Sequence, residues 1–416
     1  MNSIQKIINF ISHRHYGFIS PSVKTLPFDS LCKEDRNYVS DFESLFAEGV
    51  GNGSCVSFGA GRMAFYAILK CIGVKKGDEV ILTGFTCSVM ANAVFRIGAD
   101  VKYCDIDQDT LGMSPSCLKK IISPKTKVVV AQHSFGIPCK IDEIKSICKD
   151  NNIFLIEDCA LSYMSKYKGR YVGDYGDAAI FSTDHTKPIN TLIGGLAYSK
   201  DSSLIERLRT LQKSADSFET RHVRNIIKRY NIEHSLMRFP NFNWYILMIY
   251  WEALVGKVLH KSSLIYLSGN TTPFAEEDLY SYPSKLPKQL AQIGISVIQQ
   301  YRSSLEERRS ILKEFVEKFK HRRIPSAYLS NDFDIIPLRL VYFANDEDLS
   351  VKHHLCGVWF EKPIINTVCS LKDFNYNNDC PISEYVGGTI INLPVLFPIK
   401  ERENLYQKVS LSNHRS

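Results

Sequence analysis

The sequence predicts an α/β fold, and three observations lead to this expectation. Between residues 50 and 200, short apolar runs rich in β-branched residues alternate with helical patterns, as in a mostly parallel sheet covered by helices. After about residue 288, a long helical pattern that reaches Phe319 leads into further strand-like runs. The 416 residues, 44% hydrophobic and 23% charged, can bury more than one core.

Each element of the first region follows from its own pattern. Six apolar runs predict strands: Glu79–Thr83, Val101–Cys104, Lys127–Ala131, Ile153–Glu157, Ala178–Ser182 and Gly195–Ser199. Helical spacing between them, with Gly or Asn near several ends, predicts helices at Arg62–Cys71, Ser88–Ile97, Ser114–Ile121 and Ile141–Asn151. The later region offers strand candidates at Ile335–Phe343, Gly357–Phe360 and Thr389–Leu393.

These patterns divide the chain into four parts. We expect an N-terminal segment, a large ligand-binding domain, a helical and partly apolar insertion or connector, and a smaller C-terminal α/β domain, at 1–50, 51–200, 201–287 and 288–416.

The most apolar segment, Trp244–Trp251, lies in the insertion and is too short to span a bilayer. It is expected to form a helix buried in the protein or at a subunit contact. The alternative is a membrane-surface anchor helped by the basic run Arg221–Arg229.

Charge and cysteine usage exclude several classes of protein. A net charge of +7 suits an anionic ligand but does not require nucleic acid. The twelve cysteines include no C-x-x-C pair, so reduced thiols are expected rather than a disulfide framework or a metal site. The first residues lack a continuous apolar stretch followed by a cleavage site, which predicts a cytoplasmic protein without stable membrane insertion.

Four features of the large domain could take part in binding or catalysis, although each also has an ordinary structural explanation. Ser57–Ala64 contains Gly61 and Arg62 in a turn that enters a helix, where backbone N–H groups bind phosphate, or where an ordinary helix begins. Asp158 directly follows a buried strand. It either faces a ligand at the carboxyl edge of the sheet or caps the next helix.

The other two features lie further along the chain. Lys187 follows another strand, and it is either a surface charge or an amine tuned for imine formation. Gly194 and Gly195 precede the next strand, where glycine permits close backbone approach. Pyridoxal 5'-phosphate requires a phosphate cup, an acid for its pyridine nitrogen and a lysine, and the sequence presents these in that order.

The chain also resembles the DegT/DnrJ/StrS family of sugar aminotransferases. The similarity is densest over residues 50 to 200, in Gly77–Thr86, Ala91–Val94, Ile97–Asp100, Asp105–Asp107, Ile156–Asp158, Gly173–Asp177, Phe181–Ser182, Thr186–Lys187 and Gly194–Gly195. It returns at Gln289–Tyr301, Cys380–Ser383 and Asn392–Pro394.

The resemblance implies an aspartate aminotransferase-like fold of type I, with a large mixed-sheet domain and a smaller C-terminal domain. It implies a homodimer that binds pyridoxal 5'-phosphate and transfers an amino group, from glutamate, to a nucleotide-linked keto sugar for cell-surface polysaccharide or related glycoconjugates. By motif, Lys187 is the Schiff-base lysine, Asp158 the partner of the pyridinium, and Gly61, Arg62 and Ser182 the donors to the phosphate.

Three positions depart from the family pattern. Cys87 stands where many members have an aromatic residue that stacks on the pyridine ring, so the packing around the ring is expected to differ. Leu161 stands where the family pattern has a glutamine. Pro283–Lys285 aligns with the Asn-x-Arg element through which the partner subunit often reaches the cofactor.

Three other functions remain open on the sequence. A relative that dehydrates sugars with the pyridoxamine form would carry histidine at the lysine position, and only His185 is nearby. Dinucleotide binding would use Gly59–Ala64, but Glu79 opens its strand instead of closing it. A degenerate, non-catalytic protein that binds pyridoxal phosphate and acts as a regulator is the third.

Overall fold

A seven-stranded sheet forms the centre of the protein. The computed structural model describes residues 27–236, 244, 247–248, 251, 281–344, 359–365, 367 and 369–395. The strands up to residue 199 are β1 Ser54–Phe58, β2 Glu79–Thr83, β3 Thr86–Cys87, β4 Asp100–Cys104, β5 Thr126–Gln132, β6 Phe154–Asp158, β7 Lys166–Tyr167, β8 Arg170–Tyr171, β9 Ala178–Ser182 and β10 Gly195–Ser199. All six strands predicted for this region are confirmed within one or two residues at their ends.

The sequence did not predict β1. Its serines interrupt the apolar pattern, and Ser57 is nevertheless fully buried. The backbone N–H and the hydroxyl of Ser57 both donate to Glu43 Oε1, at 2.7 Å each. Because Glu43 comes from a preceding helix, the partner that makes this polar strand residue acceptable in the core is not visible in the local sequence.

The sheet has the order β1-β10-β9-β6-β5-β2-β4. β10 runs antiparallel to both β1 and β9, whereas β9, β6, β5, β2 and β4 pair in parallel. The sheet is therefore mixed, and the carboxyl ends of β1, β6 and β9 lie at one edge.

Helices cover both faces of the sheet. They are α1 Tyr38–Ala47, α2 Gly61–Cys71, α3 Ser88–Phe95, α4 Pro115–Ile121, α5 Ile141–Asp150, α6 Ser202–Ser214, α7 Thr220–Leu236, α8 Lys288–Ser303, α9 Leu305–Phe319 and α10 Pro381–Thr389. Val80 and Leu82 of β2 belong to the core cluster with α2 and α3, whereas Ile81 belongs to the cluster with α4 and α5. This alternation gives each face of the sheet its own core.

The long helical pattern after residue 288 is two helices rather than one. α8 ends at Ser303 and α9 begins at Leu305, and between them Ser304 has φ −94° and ψ 0°. Ser304 Oγ donates to the carbonyl of Tyr301 and lies 3.1 Å from Arg308 Nε, which donates to it. A hydroxyl that bonds both helices explains a break that the apolar spacing did not indicate.

Of the predicted C-terminal strands, Thr389–Leu393 is confirmed with a shift of one residue, whereas Ile335–Phe343 is longer than the strand observed. The C-terminal strands are β11 Phe333–Asp334, β12 Arg339–Phe343, β13 Ile364–Ile365 and β14 Ile390–Pro394. Pro337 has no N–H for a ladder and separates β11 from β12, so the strand predicted at Ile335–Phe343 begins at Arg339. Residues 359 and 360 form a turn rather than a strand, and 357 and 358 lie outside the described residues.

The C-terminal elements are bonded to the large sheet region at two places. β13 pairs in parallel with β3, with Ile365 opposite Cys87. Asp105, which follows β4, accepts hydrogen bonds from Ile382 N at 2.8 Å, Ser383 N at 2.9 Å and the Ser383 hydroxyl at 2.7 Å, at the start of α10. These contacts hold β13 and the start of α10 against the region of β3 and β4.

The apolar segment of the insertion is described only in part. Trp244, Leu247, Met248 and Trp251 are helical, as predicted. Within the single chain, Trp244, Leu247 and Trp251 are 65%, 54% and 67% exposed, so the expected burial within the chain is wrong for them. A subunit contact and a membrane surface both remain open as their environment.

Membrane-spanning helices and disulfides can be assessed only for the described residues. None of their helices has the length and apolar character needed to cross a membrane. The eleven cysteines among them are all free thiols.

Candidate active site

Three of the predicted site residues meet at the carboxyl edge of the sheet. Asp158 ends β6 and lies opposite Ile180 of β9, and Ser182 ends β9 two residues further on. Gly195 lies opposite Ser182 on one side and opposite Phe58 of β1 on the other. The chain leaves β1 at this point and enters α2 at Gly61, which brings the helix start to the same edge.

The start of α2 is shaped for an anion. Ala60 is extended, and within the described part of the chain no side chain caps the helix. The N–H groups of Met63 and Ala64 bond back to the carbonyl of Ala60, both at 3.1 Å, which leaves the amides of Gly61 and Arg62 as the ones that begin the helix. Such amides, together with the helix dipole, favour a phosphate.

Close backbone approach at this helix start depends on glycine. A Cβ added to Gly61 would lie 2.9 Å from Cβ of Ser182, and a Cβ added to Gly195 would lie 2.2 Å from the nitrogen of Gly61. The helix start, β9 and β10 are thus in direct contact. Ser182 therefore lies beside the first residue of α2.

Asp158 is a buried carboxyl group, only 5% exposed. Its Oδ1 accepts a hydrogen bond from Ala160 N at 3.0 Å in a local turn, and no helix follows directly, so it is not the helix cap considered from the sequence. Burial raises the pKa of Asp158, while the Ala160 amide and the positive charge of Lys187 act in the opposite direction. The net effect is a raised pKa, which a cation placed against this carboxyl group would lower.

Lys187 lies in a tight loop between β9 and β10. Thr183 N donates to Gly194 O at 2.9 Å and Thr191 N donates to Thr183 O at 2.9 Å, which closes the base of the loop. Asp184 Oδ1 accepts from the amide and the hydroxyl of Thr186, at 3.1 and 3.0 Å, and Lys187 N donates to Asp184 O at 2.9 Å. These bonds fix the backbone that presents the lysine.

Asp184 is an anion within this loop. Burial raises its pKa, but the charges of His185 and Lys187 and the Thr186 amide outweigh burial and hold the pKa well below the usual carboxyl range. The lysine loop therefore carries its own counter-charge at neutral pH, a feature that the sequence analysis did not single out.

The Lys187 ammonium lies beneath an aromatic ring from the C-terminal region. Its Nζ is 5.1 Å from the ring centroid of Trp359, within the range of a cation–π contact. The guanidinium carbon of Arg339, a buried residue, is 4.3 Å from the same centroid. Lys187 and Trp359 lie 172 positions apart in the sequence, so no local pattern could indicate this contact.

A buried ionic cluster supports the edge from below. Glu157, fully buried, accepts hydrogen bonds from the amides of Gly173, Tyr175 and Gly176 at 2.7 to 2.8 Å and lies 3.0 Å from His133 Nε2. Cys139 N donates to His133 Nδ1 at 3.0 Å, so this histidine donates through Nε2. Glu157 thereby ties the loop after β8 to β5 and β6, directly beside Asp158.

The same cluster satisfies a distance criterion for a metal site, since ligand atoms of His133, Glu157 and Cys159 lie within 4.8 Å of one another. However, both oxygens of Glu157 already accept backbone N–H groups, and His133 Nδ1 accepts another. This saturation assigns the cluster to structural support. The sequence signal that could have revealed it is a polar residue, His133, directly after the carboxyl end of a buried strand.

The remaining predicted residues lie at the periphery. Arg62 is half-buried, and its carbonyl accepts from the Tyr282 hydroxyl at 2.9 Å. Gly59 N donates to Ser284 O at 2.8 Å, so the stretch Pro283–Lys285 lies against the α2 turn of its own chain. Cys87 is half-buried on β3, opposite Ile365 of β13.

Pyridoxal 5'-phosphate fits the groups that converge here. The uncapped start of α2 beside Ser182 suits the phosphate, and glycine at 61 and 195 keeps this cup free of side chains. Asp158 offers a buried carboxyl group for the pyridine nitrogen, and the loop that carries Lys187 leaves the sheet after Ser182, at the same edge. A phosphate cup, an acid and an amine are the set that this cofactor requires.

The chain is similar to known proteins in both sequence and fold. Residues 29–233 match the sequence model of the DegT/DnrJ/EryC1/StrS aminotransferase family. GDP-perosamine synthase of Escherichia coli O157:H7 is 37% identical over 171 residues, which are 41% of this chain and 47% of that protein. The spore coat polysaccharide biosynthesis protein SpsC of Bacillus subtilis is 36% identical over 173 residues, 42% of this chain and 44% of that protein.

The aligned part therefore spans about half the length of the curated relatives. Similarity of fold extends further. PseC of Helicobacter pylori, an aminotransferase involved in the biosynthesis of pseudoaminic acid, has a TM-score of 0.69 at 16% identity and covers 95% of this chain and 98% of that one. The PMP-form of Spr1654 from Streptococcus pneumoniae, a sugar aminotransferase by its description, has a TM-score of 0.68 at 19% identity, with 100% and 98% covered.

Proposed function

We propose, from the premise that this chain belongs through residues 29–233 to the DegT/DnrJ/EryC1/StrS aminotransferase family, that it is a pyridoxal phosphate-dependent aminotransferase of nucleotide-linked keto sugars. One observation supports this most strongly. Lys187 is presented by a braced loop at the sheet edge where a buried Asp158 and the start of α2 also lie.

Each residue has a distinct role in holding the cofactor. The amides of Gly61 and Arg62 and the hydroxyl of Ser182 would donate to the phosphate, and Asp158 would bond the pyridine nitrogen. Cys87, on β3 beside β13, would line the ring pocket without offering an aromatic face. The bound cofactor supplies an aldehyde carbon that accepts amino groups and a pyridine ring that withdraws electrons.

The chemistry of transfer belongs to Lys187 and Asp158. The Lys187 amine would hold the cofactor, and the same amine would take up and return the proton at Cα of the amino donor. Asp158 would accept the N–H of the pyridine ring and so keep the ring nitrogen protonated.

The substrate class is supported by the names of relatives. One relative is named GDP-perosamine synthase and another a spore coat polysaccharide biosynthesis protein, which supports a nucleotide-linked sugar and a role in polysaccharide synthesis. We propose a nucleotide-linked keto sugar as amino acceptor and glutamate as donor. Because another relative is named L-glutamine:2-deoxy-scyllo-inosose aminotransferase, glutamine is the donor to compare. A cytoplasmic homodimer, without nucleic acid as partner, completes the proposal.

Half-reactions test the function without knowledge of the sugar. Protein loaded with pyridoxal phosphate and mixed with glutamate should form one equivalent of 2-oxoglutarate and lose its visible absorption band. Keto sugars linked to GDP, UDP or dTDP should then restore the band as they are aminated. Lys145, exposed on α5, provides the matched control, because Lys145→Ala removes an amine far from the site and should leave both half-reactions unchanged.

Two outcomes would contradict the proposal. One is a protein that binds no pyridoxal phosphate at all. The other is a protein that binds it but removes water from the sugar without amination, which would favour the dehydratase alternative left open by the sequence.

A further inference from the structure

Trp359 reaches the proposed cofactor site from a part of the chain that the family motif does not cover. It is half-buried in a turn after which Phe360 is buried, and the Phe360 ring packs on Phe85 and Phe135 with centroids 4.7 and 5.4 Å apart. The carbonyl of Trp359 accepts from Asn392 Nδ2 at 3.2 Å. The backbone of Trp359 is therefore held by its own hydrogen bond and by the packing of the next residue, Phe360.

The segment that follows is fixed against β3. Thr86 N donates to Pro363 O at 2.8 Å, and Ile364 and Ile365 continue in parallel register with Thr86 and Cys87. A Cβ on Gly387 of α10 would meet the carbonyl of Glu361 at 2.8 Å, so the helix packs directly on this segment. The segment that follows Trp359 is thus packed between β3 and α10.

The indole face is already engaged with two positive groups. Lys187 Nζ lies 5.1 Å and Arg339 Cζ 4.3 Å from the ring centroid. Any group bonded to Lys187 begins one bond from that nitrogen, so its first atoms lie within reach of the indole. A heteroaromatic ring that carries a proton on its nitrogen is also the kind of electron-poor group that an indole face attracts.

We propose that Trp359 is an aromatic wall of the cofactor pocket, which holds the cofactor ring non-covalently when Lys187 is not bonded to it. This inference rests on the proposed function. It assigns to the C-terminal region the ring contact that the thiol of Cys87 does not supply. Arg339, stacked on the same indole, acts as a positioning residue for it.

Pyridoxamine phosphate is the probe that isolates this contact, because it has no aldehyde and cannot bond covalently to Lys187. Its dissociation constant, measured by calorimetry on the intact protein, reports the non-covalent contacts alone. Trp359→Leu keeps an apolar side chain but removes the aromatic face, and should weaken binding roughly 2- to 10-fold. Trp359→Phe keeps an aromatic face and should stay within about twofold of the parent.

The chain offers a matched control. Its three tryptophans are Trp244, Trp251 and Trp359, and the first two are exposed on the insertion. Trp251→Leu repeats the chemical change outside the site and should leave the dissociation constant unchanged. Circular dichroism and the thermal midpoint, measured for each variant, establish that the protein compared is folded.

The outcomes separate this inference from the proposed function. If the parent binds neither pyridoxal phosphate nor pyridoxamine phosphate, the proposed function fails. If the parent binds both, and folded Trp359→Leu binds pyridoxamine phosphate as tightly as the parent, Trp359 is not a wall and the proposed function stands. Equal weakening by Trp359→Phe and Trp359→Leu would also overturn the inference, because it would show that the aromatic face is not what matters.

Discussion

Gly195→Ala tests the phosphate cup through a single methyl group. The new Cβ would lie 2.2 Å from Gly61 N, and ordinary contact begins at 3.4 Å, so the two backbones must separate by about 1.2 Å. Overpacking of this kind costs about 1–3 kcal/mol of unfolding free energy. A hydrogen bond of about 2.9 Å from Gly61 N to a phosphate would be stretched beyond bonding range.

The loss of that charge-assisted bond sets the magnitude for binding. At about 1.5–3 kcal/mol, it corresponds to a roughly 10- to 150-fold rise in the dissociation constant of pyridoxal phosphate. Equilibrium titration of the apo-protein measures this, and urea unfolding measures the accompanying stability. Gly388→Ala is the matched control, since a Cβ there meets nothing within 4 Å, and alanine in this helix should raise stability by about 0.5–1 kcal/mol without altering affinity.

The result that would refute the reasoning is specific. A Gly195→Ala protein that is less stable than the parent but binds pyridoxal phosphate with the parent affinity would show that the phosphate does not lie at the start of α2. Unchanged stability would show that the backbone contact itself is misplaced.

Four further predictions concern single side chains. Lys187→Ala should abolish the visible band and the borohydride-fixed label on the peptide containing residues 181–188, and lower transamination by roughly 10²–10⁴ or more, whereas a label on another lysine would reject the assignment. Asp158→Asn should slow both half-reactions by about 10²–10³ with the fold intact, and parent rates with an unchanged pH profile would make Asp158 structural. Glu157→Gln should lower the unfolding free energy in urea by about 2–5 kcal/mol, because an amide cannot accept all four hydrogen bonds that the buried carboxylate accepts. Asp174 accepts hydrogen bonds from Arg170 Nε at 2.7 Å and the Tyr198 hydroxyl at 2.9 Å, and Lys200 Nζ lies 3.1 Å from its Oδ1. Burial raises the pKa of Asp174, but these three neighbours hold it below the usual value, so the stabilisation is present above the ordinary carboxyl pKa of about 4 and is lost as pH falls through the lowered pKa. Asp174→Asn should flatten the dependence of urea stability on pH over this acid range, and an unchanged profile would contradict this expectation.

The sequence predicted the regular part of the fold well because that part depends on local pattern. β2, β9 and β10 begin and end where their apolar runs do, and α2 begins one residue before the prediction. β1 was missed because its buried serine is stabilised by Glu43, which lies on α1. The division into domains and the exact bounds of the insertion remain predictions.

The site shows the same limit more sharply. Asp158, Ser182 and Lys187 could be placed at one edge because parallel strands align their carboxyl ends. The positions of Trp359 and of the donors to Glu157 could not be predicted, because they depend on packing between segments that are separated in the chain. No periodicity within a segment records which distant segment it will contact.

The hydrogen bonds of Asp105 with the start of α10 have a consequence for the order of folding. Donor and acceptor lie 277 and 278 residues apart, among the longest separations in the molecule. A nascent chain emerges from its N-terminus, so the seven strands of the central sheet, the last of which in the chain is β10, can pair while Asp105 still lacks these partners. The strands of the sheet can therefore pair before the carboxylate of Asp105 has its partners on α10. Because these contacts join segments far apart in the chain, we expect Asp105→Ala to lower the yield of refolding more than the initial rate of sheet formation.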